Sequence, residues 1–423
     1  MQRRLHRRSW GPEVAPTSQR ADALEGIPEV AAPPPNHPRF PLSEGIRGIA
    51  AIAVVIVHSW IFAGRFGDGT GLANRLIVRL DSMVAIFFLL SAFLLYRPMI
   101  AHRAGGPKSP RVEDFARRRF LRIYPAYWLA LTVLAVYPGV SGVFSHEWWS
   151  FYSLSEYLHP VTDSSVCSGA GYRCGLLQSW TLTVEMTFYI ILPLFAALTA
   201  MLARRLNVRS WMRAELLLIA GLAAFSLVLN LLPWGLREKA WFTYTFAAHF
   251  DWLGLGLALA VISTVYGRRE EALPRPLRLL AENPGACWAG AIALYLVTVV
   301  AFQPVPFTVA QFTDAEFLAL HLLQCGVAFL IVFPVFFGNP NLGLPRRILA
   351  TRWLVWLGLI SYGFYLWQVT IGIELGFGNA HGSFLSVLIG TIVLTLPLAV
   401  ASYYLVERPL MRWKYKPLKK SRR

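Results

Sequence analysis

Five polar side chains stand in stretches that are otherwise apolar: His58, Glu185, His249, Asp251 and Gln368. Ionisable groups in such surroundings are costly and mark functional sites by default. A histidine titrates near neutral pH and moves protons in catalysis. A carboxylate beside it fixes its tautomer and steadies the imidazolium. His58 and Glu185 are therefore a candidate base and its orienting partner, with Asp251 at a comparable depth. The same residues admit a plainer reading, in which His58 is a satisfied packing residue and Glu185 a structural hydrogen-bond partner. Arg47 precedes His58 by eleven positions. At about 100° and 1.5 Å per residue, the two share one helix face about 16 Å apart. Arg117, Arg118, Arg119 and Arg122 open a later apolar stretch. Arg119 and Arg122, three apart, share a helix face, and guanidinium forks bind phosphate bidentately. Dense arginine at the start of a span is equally an orientation signal, so both readings stand at this point.

These groups must be held by helices that cross a membrane. Of 423 residues, 56% are hydrophobic and 15% charged, where a soluble domain carries roughly 25% charged residues. That composition excludes an ordinary soluble protein, a disordered chain and a small disulfide scaffold. A transmembrane helix needs about 20 mostly apolar residues. Ten stretches qualify: 44–63, 82–101, 118–138, 181–203, 213–232, 247–266, 285–302, 316–337, 353–375 and 384–406. The predicted fold is an all-α integral membrane protein of about ten transmembrane helices. Ten spans place both termini on one side, and that side collects 34 of the 40 Lys and Arg residues. The asymmetry predicts cytoplasmic termini. It also explains the net charge of +17 by topology and contact with anionic headgroups, without nucleic acid.

Residues 1–40, rich in Arg and Pro and interrupted by Pro33-Pro34-Pro35, read as a disordered cytoplasmic tail with no cleavable signal peptide. Residues 41–413 form the membrane domain and 414–423 a basic cytoplasmic tail. The connection 139–180 is the longest on the extracytoplasmic side, with Trp and Tyr residues that suit either the interface or the face of a sugar. Cys167 and Cys174, separated by six residues there, suggest a short disulfide loop. Cys287 and Cys325 fall in spans as buried thiols. Ser91 is expected to bond its own or a neighbouring helix. Glu407 and Arg408 are expected to form a local ion pair that ends the last helix before Pro409.

Six segments, in order, give the chain a resemblance. They are Leu42-Ser-Glu-Gly-Ile-Arg-Gly-Ile-Ala-Ala-Ile with His58 downstream, Phe87-Phe-Leu-Leu-Ser-Ala-Phe-Leu-Leu, and Arg119-Phe-Leu-Arg-Ile-Tyr-Pro-Ala-Tyr-Trp. There follow Ser179-Trp-Thr-Leu-Thr-Val-Glu-Met-Thr-Phe-Tyr, Ile360-Ser-Tyr-Gly-Phe-Tyr-Leu-Trp and Tyr404-Leu-Val-Glu-Arg-Pro. Together they resemble the integral-membrane acyltransferase family 3, over about residues 40–413. The resemblance implies an O-acyltransferase of the inner (plasma) membrane, multi-pass. It would move an acyl group, most simply acetyl, from cytosolic acyl-CoA to a hydroxyl of a sugar, glycolipid or secondary metabolite. His58 would be the catalytic base, or the carrier of a covalent acyl group, with Glu185 as the acidic residue of the fourth span. Arg47, Arg119 and Arg122 would serve acyl-CoA. Tyr365 and Trp367 would lie near the site, and Gln368, Asp251 and Trp180 are candidate acceptor contacts. No metal is implied, and an oligomer is possible. Four positions depart from the family pattern: Glu44 for Asp, Ala92 for Gly, Met186 for a second Glu, and Gln368 for a frequent His. Two other classes use similar material: a transporter or flippase of an acylated glycolipid, and a non-catalytic scaffold of an envelope complex. No internal repeat of the transporter kind is visible.

Overall fold

The structure, a computed structural model, describes residues 42–65, 71–158, 166, 174–231, 242, 244–267, 272–302, 313–377 and 382–413. The predicted tails, 1–40 and 414–423, and Cys167 lie outside these residues.

The described residues are predominantly helical. Ten long helices follow one another: α1 Leu42–Phe62, α2 Met83–Ile100, α3 Val112–Val136, α4 Trp180–Ala203 and α5 Val208–Leu231. Then come α6 Phe250–Tyr266, α7 Pro284–Ala301, α8 Asp314–Phe336, α9 Arg352–Gly376 and α10 Phe384–Ala401. Nine of them are, among the described residues, long and apolar enough to cross a membrane by length and composition. Helical segments satisfy their backbone polar groups internally, which a bilayer core demands. The tenth, α3, runs for 25 residues and is more polar, with six charges between Glu113 and Arg122. Glu113 and Asp114 sit in its first turn, where the helix dipole favours anions.

Two predicted boundaries move. The helical run that feeds α2 begins at Leu72, so Arg79 and Asp81 stand in helical structure rather than a loop. At the other end of the chain, α10 continues through a π-helical segment, Ser402–Glu407, into a last helix, Arg408–Trp413. Pro409 is the second residue of that helix, where a missing N–H is tolerated. The expected Glu407–Arg408 pair is not formed: Glu407 Oε2 meets Arg122 Nη1 of α3 at 3.2 Å.

Packing is densest between α1 and α9, α2 and α6, and α9 and α10. Small residues let α1 and α9 touch along their backbones. A Cβ on Gly48 would sit 2.6 Å from the carbonyl oxygen of Leu354, and one on Gly358 would collide with the carbonyl of Glu44. At the far end Gly376 meets the carbonyl of Phe62. Because Glu44 pairs with position 358 and Phe62 with 376, the two helices run parallel. That register brings the middle of α9 beside His58. In the connection before α4, Cys174 is disulfide-bonded and forms an isolated bridge with Ser141.

Candidate active site

A cavity of about 900 Å³ runs down the bundle. On α1 its wall includes Glu44, Arg47, Ala51, Val54, His58 and Ile61, which keep the three-and-four spacing of one helix face, and is widened by Val55, Val57 and Phe62. Glu44 and Ile61 are seventeen steps apart on α1, about 25 Å. The shared face read from Arg47 and His58 is therefore the face that lines this space.

One end of the cavity is cationic. Arg47, Arg119 and Arg122 line it together with Glu44, Glu185 and Tyr189. Arg47 pairs with Glu44 at 3.1 Å, one helical turn away. Arg122 pairs with Glu407 and lies over the Tyr362 ring at 5.7 Å. Arg119 differs: its guanidinium lies over the ring of Tyr189 at 5.8 Å, and its Nε has no hydrogen-bond partner. Of the three arginines on this wall, it alone pairs with no carboxylate among the described residues.

Glu185 lines the cavity, but its carboxylate is engaged locally. Oε2 accepts from Tyr189 Oη at 2.7 Å, one turn along α4, and Tyr189 Oη also meets Ser91 Oγ at 3.3 Å. The partner of His58 is another residue. Gln368 Nε2 stands 2.7 Å from His58 Nδ1, while Gln368 Oε1 is buried without a hydrogen-bond partner. The orientation of a side-chain amide is assigned from its network, and here it decides the chemistry. With Nε2 donating, the ring proton sits on His58 Nε2. With the amide turned, Nδ1–H donates to Oε1 and Nε2 keeps a lone pair facing the cavity. Only the second arrangement makes His58 a base or a nucleophile, and it also employs the orphaned Oε1.

The other predicted site residues divide. Tyr365 and Trp180 line the cavity. Tyr365 Oη donates to the carbonyl of Gln178 and meets Thr181 Oγ1 at 2.9 Å. Gln178 Nε2 donates back to the carbonyl of Leu366 at 2.9 Å, which locks the start of α4 onto α9. Trp367 does not reach the cavity. It is buried in the main apolar cluster, because position 367 is rotated by about 100° from 368 on the helix. Asp251 also stays off the wall, yet its Oδ2 lies 2.8 Å from Nε2 of His321, which does line it.

Beyond His58 the wall is aromatic. Trp180 lies tilted against His249 at 5.4 Å, His249 stacks on Trp252 at 5.0 Å, and Trp252 on His321 at 4.6 Å. Arg79, Asp81 and Gln324 also line this half, with Gln324 Nε2 donating to Asp81 Oδ1 at 3.1 Å. Outside the spans, buried Glu156 accepts from Ser179 Oγ at 2.5 Å, beside the first residue of α4. Burial pushes its carboxyl up to about 7, against the lowering effect of that hydrogen bond. Among the described residues no group of three or more His, Cys, Asp or Glu could hold a metal ion.

Sequence reasoning passed over His321, Tyr189, Arg79 and Asp81. His321 carried a signal, being an ionisable group inside a span. Tyr189 carried one too, four residues beyond Glu185 and so on the same face.

Comparison with known proteins places the chain in a family. The profile of the acyltransferase domain family matches residues 43–404. The chain belongs to that family. Similar proteins include the peptidoglycan O-acetyltransferase OatA of Listeria monocytogenes, 25% identical over 78% of this chain and 49% of that protein. The putative peptidoglycan O-acetyltransferase YrhL of Bacillus subtilis is 24% identical over 89% of this chain and 55% of its own. The putative membrane-bound transacylase BcsY of Komagataeibacter xylinus is 25% identical, covering 86% and 81%. The chain thus spans about half the length of the first two. No solved structure matches.

Proposed function

We propose that this acyltransferase moves an acyl group, most simply acetyl, from cytosolic acyl-CoA to a hydroxyl of a sugar or glycolipid on the far side of the membrane. His58 is the reacting imidazole. One observation carries the reading: a single cavity joins the arginine end to His58 and continues past it to an aromatic wall. An extended pantetheine arm spans such a distance, with its phosphates at the arginines and its thioester at His58. The arginine end is then cytoplasmic, as the distribution of Lys and Arg requires, and the membrane is the inner (plasma) membrane.

The paired state of Arg47 and Arg122 qualifies their roles. A phosphate reaching them competes with Glu44 and Glu407, whereas Arg119 offers its charge without that competition. Acetyl-CoA binding by the detergent-purified protein, measured by calorimetry, tests the donor site. Wild type binds, and Arg119→Ala weakens binding. Arg122→Ala is made together with Glu407→Gln, so that no unpaired carboxylate is left buried. Absence of binding by folded wild type refutes the donor assignment.

A further inference from the structure

The cavity holds a second imidazole with a different kind of partner. His321 lies seven residues into α8, whose start is fixed by a capping box between Thr313 and Glu316. Its Nε2 is 2.8 Å from Asp251 Oδ2, and both residues are 6% exposed. The ring is held by stacking on Trp252 at an interplanar angle of 14° and on Phe317 at 5.2 Å. Cys325 Sγ donates to the same carboxylate oxygen at 3.4 Å. The Nε2 contact is an ion-pair distance without the alignment of a hydrogen bond, and Nδ1 is the ring nitrogen that does not face the carboxylate.

The two imidazoles are suited to different tasks. A general base carries positive charge as the proton moves, and a buried charge needs a counter-ion. His321 has one in Asp251. His58 has a neutral amide instead, and the Glu185 carboxylate that lines the same cavity is bonded to Tyr189. A neutral imidazole with a free Nε2 is a nucleophile. We propose that Asp251 and His321 form the acceptor-side base of the reaction, and that His58 carries the acyl group between donor and acceptor. This rests on the acyl-transfer reading above.

The steps balance. His58 Nε2 attacks the thioester carbon, the C–N bond forms, the C–S bond breaks, and CoA leaves as the thiolate. The ring is then an acylimidazolium whose Nδ1–H still donates to Gln368 Oε1, and the departing thiolate balances its charge. In the second step the acceptor oxygen attacks the acyl carbon, the C–O bond forms and the C–N bond to His58 breaks. The hydroxyl proton passes to His321 Nδ1 and from there to the thiolate or to water. An acylated Nε2 has no lone pair to take that proton, so the second step requires another base. Asp251 acts as a positioning residue whose carboxylate faces His321 Nε2 and balances the charge the ring takes up.

Hydroxylamine separates this role from a structural one, because its nitrogen attacks acyl groups without a general base. Membranes of the source cells, with the native acceptor present, are given labelled acetyl-CoA with and without hydroxylamine. For His321→Gln, transfer to the native hydroxyl falls by about 10²–10⁴-fold. Enzyme-dependent acetohydroxamate formation stays near the wild-type rate. Asp251→Asn follows His321→Gln, and Asp251→Glu restores part of the hydroxyl transfer. His58→Ala loses both reactions. The inference is overturned if His321→Gln keeps hydroxyl transfer within about threefold of wild type, a loss too small for a general base. It is equally overturned if the variant binds acetyl-CoA normally but loses both reactions in parallel. Failure of the wild type itself to transfer label refutes the acyl-transfer reading instead.

Discussion

Replacing Gln368 probes the orientation of His58. Gln368→Leu keeps the volume and removes the polar partner that stands 2.7 Å from Nδ1. A typical hydrogen bond contributes about 0.5–1.5 kcal/mol net, and a buried group left unpaired costs about 1–3 kcal/mol. Without its partner the ring distributes its proton between the two nitrogens, and only one tautomer reacts. Expressed in the barrier, about 1.4–2.7 kcal/mol is a 10- to 100-fold loss of rate. The loss falls on kcat, while KM for acetyl-CoA is unchanged because the arginine end is untouched. Gln368→Glu is the discriminating variant. A carboxylate can only accept, so it holds Nδ1–H and leaves Nε2 free. Activity should stay near the wild-type level, far above that of Gln368→Leu. The assay is transfer of labelled acetyl from acetyl-CoA in membranes. If Gln368→Glu is as inactive as Gln368→Leu, the amide serves as a donor to Nδ1 and His58 is neither base nor nucleophile. Unchanged activity in Gln368→Leu would refute the coupling altogether.

Three other outcomes follow from the packing and charges. Gly358→Ala drives a methyl into the carbonyl of Glu44; overpacking of this kind costs about 1–3 kcal/mol, so melting in detergent should come earlier and activity should fall with the α1–α9 register. Arg122→Ala strands Glu407, whose side chain is 1% exposed, and should cost about 3–5 kcal/mol; adding Glu407→Gln should recover most of the melting temperature. The Glu156 carboxyl is raised from 4.5 to about 7 by burial, so the folded state holds its proton longer than the unfolded state does. Its contribution is intact below about pH 4.5 and is lost as pH rises to about 7, by about 3 kcal/mol at 1.36 kcal/mol per unit. Glu156→Gln should remove that part of the pH dependence in thermal unfolding.

The sequence makes some of this legible because helix geometry is rigid. Arg47 and His58 share a face by arithmetic alone, and the cavity follows that face. Runs of apolar residues place all ten helices, with ends shifted by a few residues. Gln368 stands out as a departure from the family pattern, and it proves to be the residue that meets His58. What the sequence hides are pairings between distant segments. Asp251 is visible as a costly carboxylate, but its partner lies 70 positions away. Glu407 stands next to Arg408 in the sequence, yet it reaches across 285 positions to Arg122. Trp367 belongs to a recognisable motif, but a motif does not say which way each side chain turns. Arg79 and Asp81 are missed because apolarity marks where a span is greasy, and the helix starts earlier than that.

The central claim, that His58 is the group through which acyl-CoA reaches a hydroxyl, is tested most directly by labelled acetyl transfer in membranes carrying wild type or His58→Ala. The account predicts acetyl-CoA-dependent labelling of an acceptor by wild type. It predicts none above background by His58→Ala, although that variant still binds acetyl-CoA at the arginine end. Equal labelling by the two proteins would contradict it.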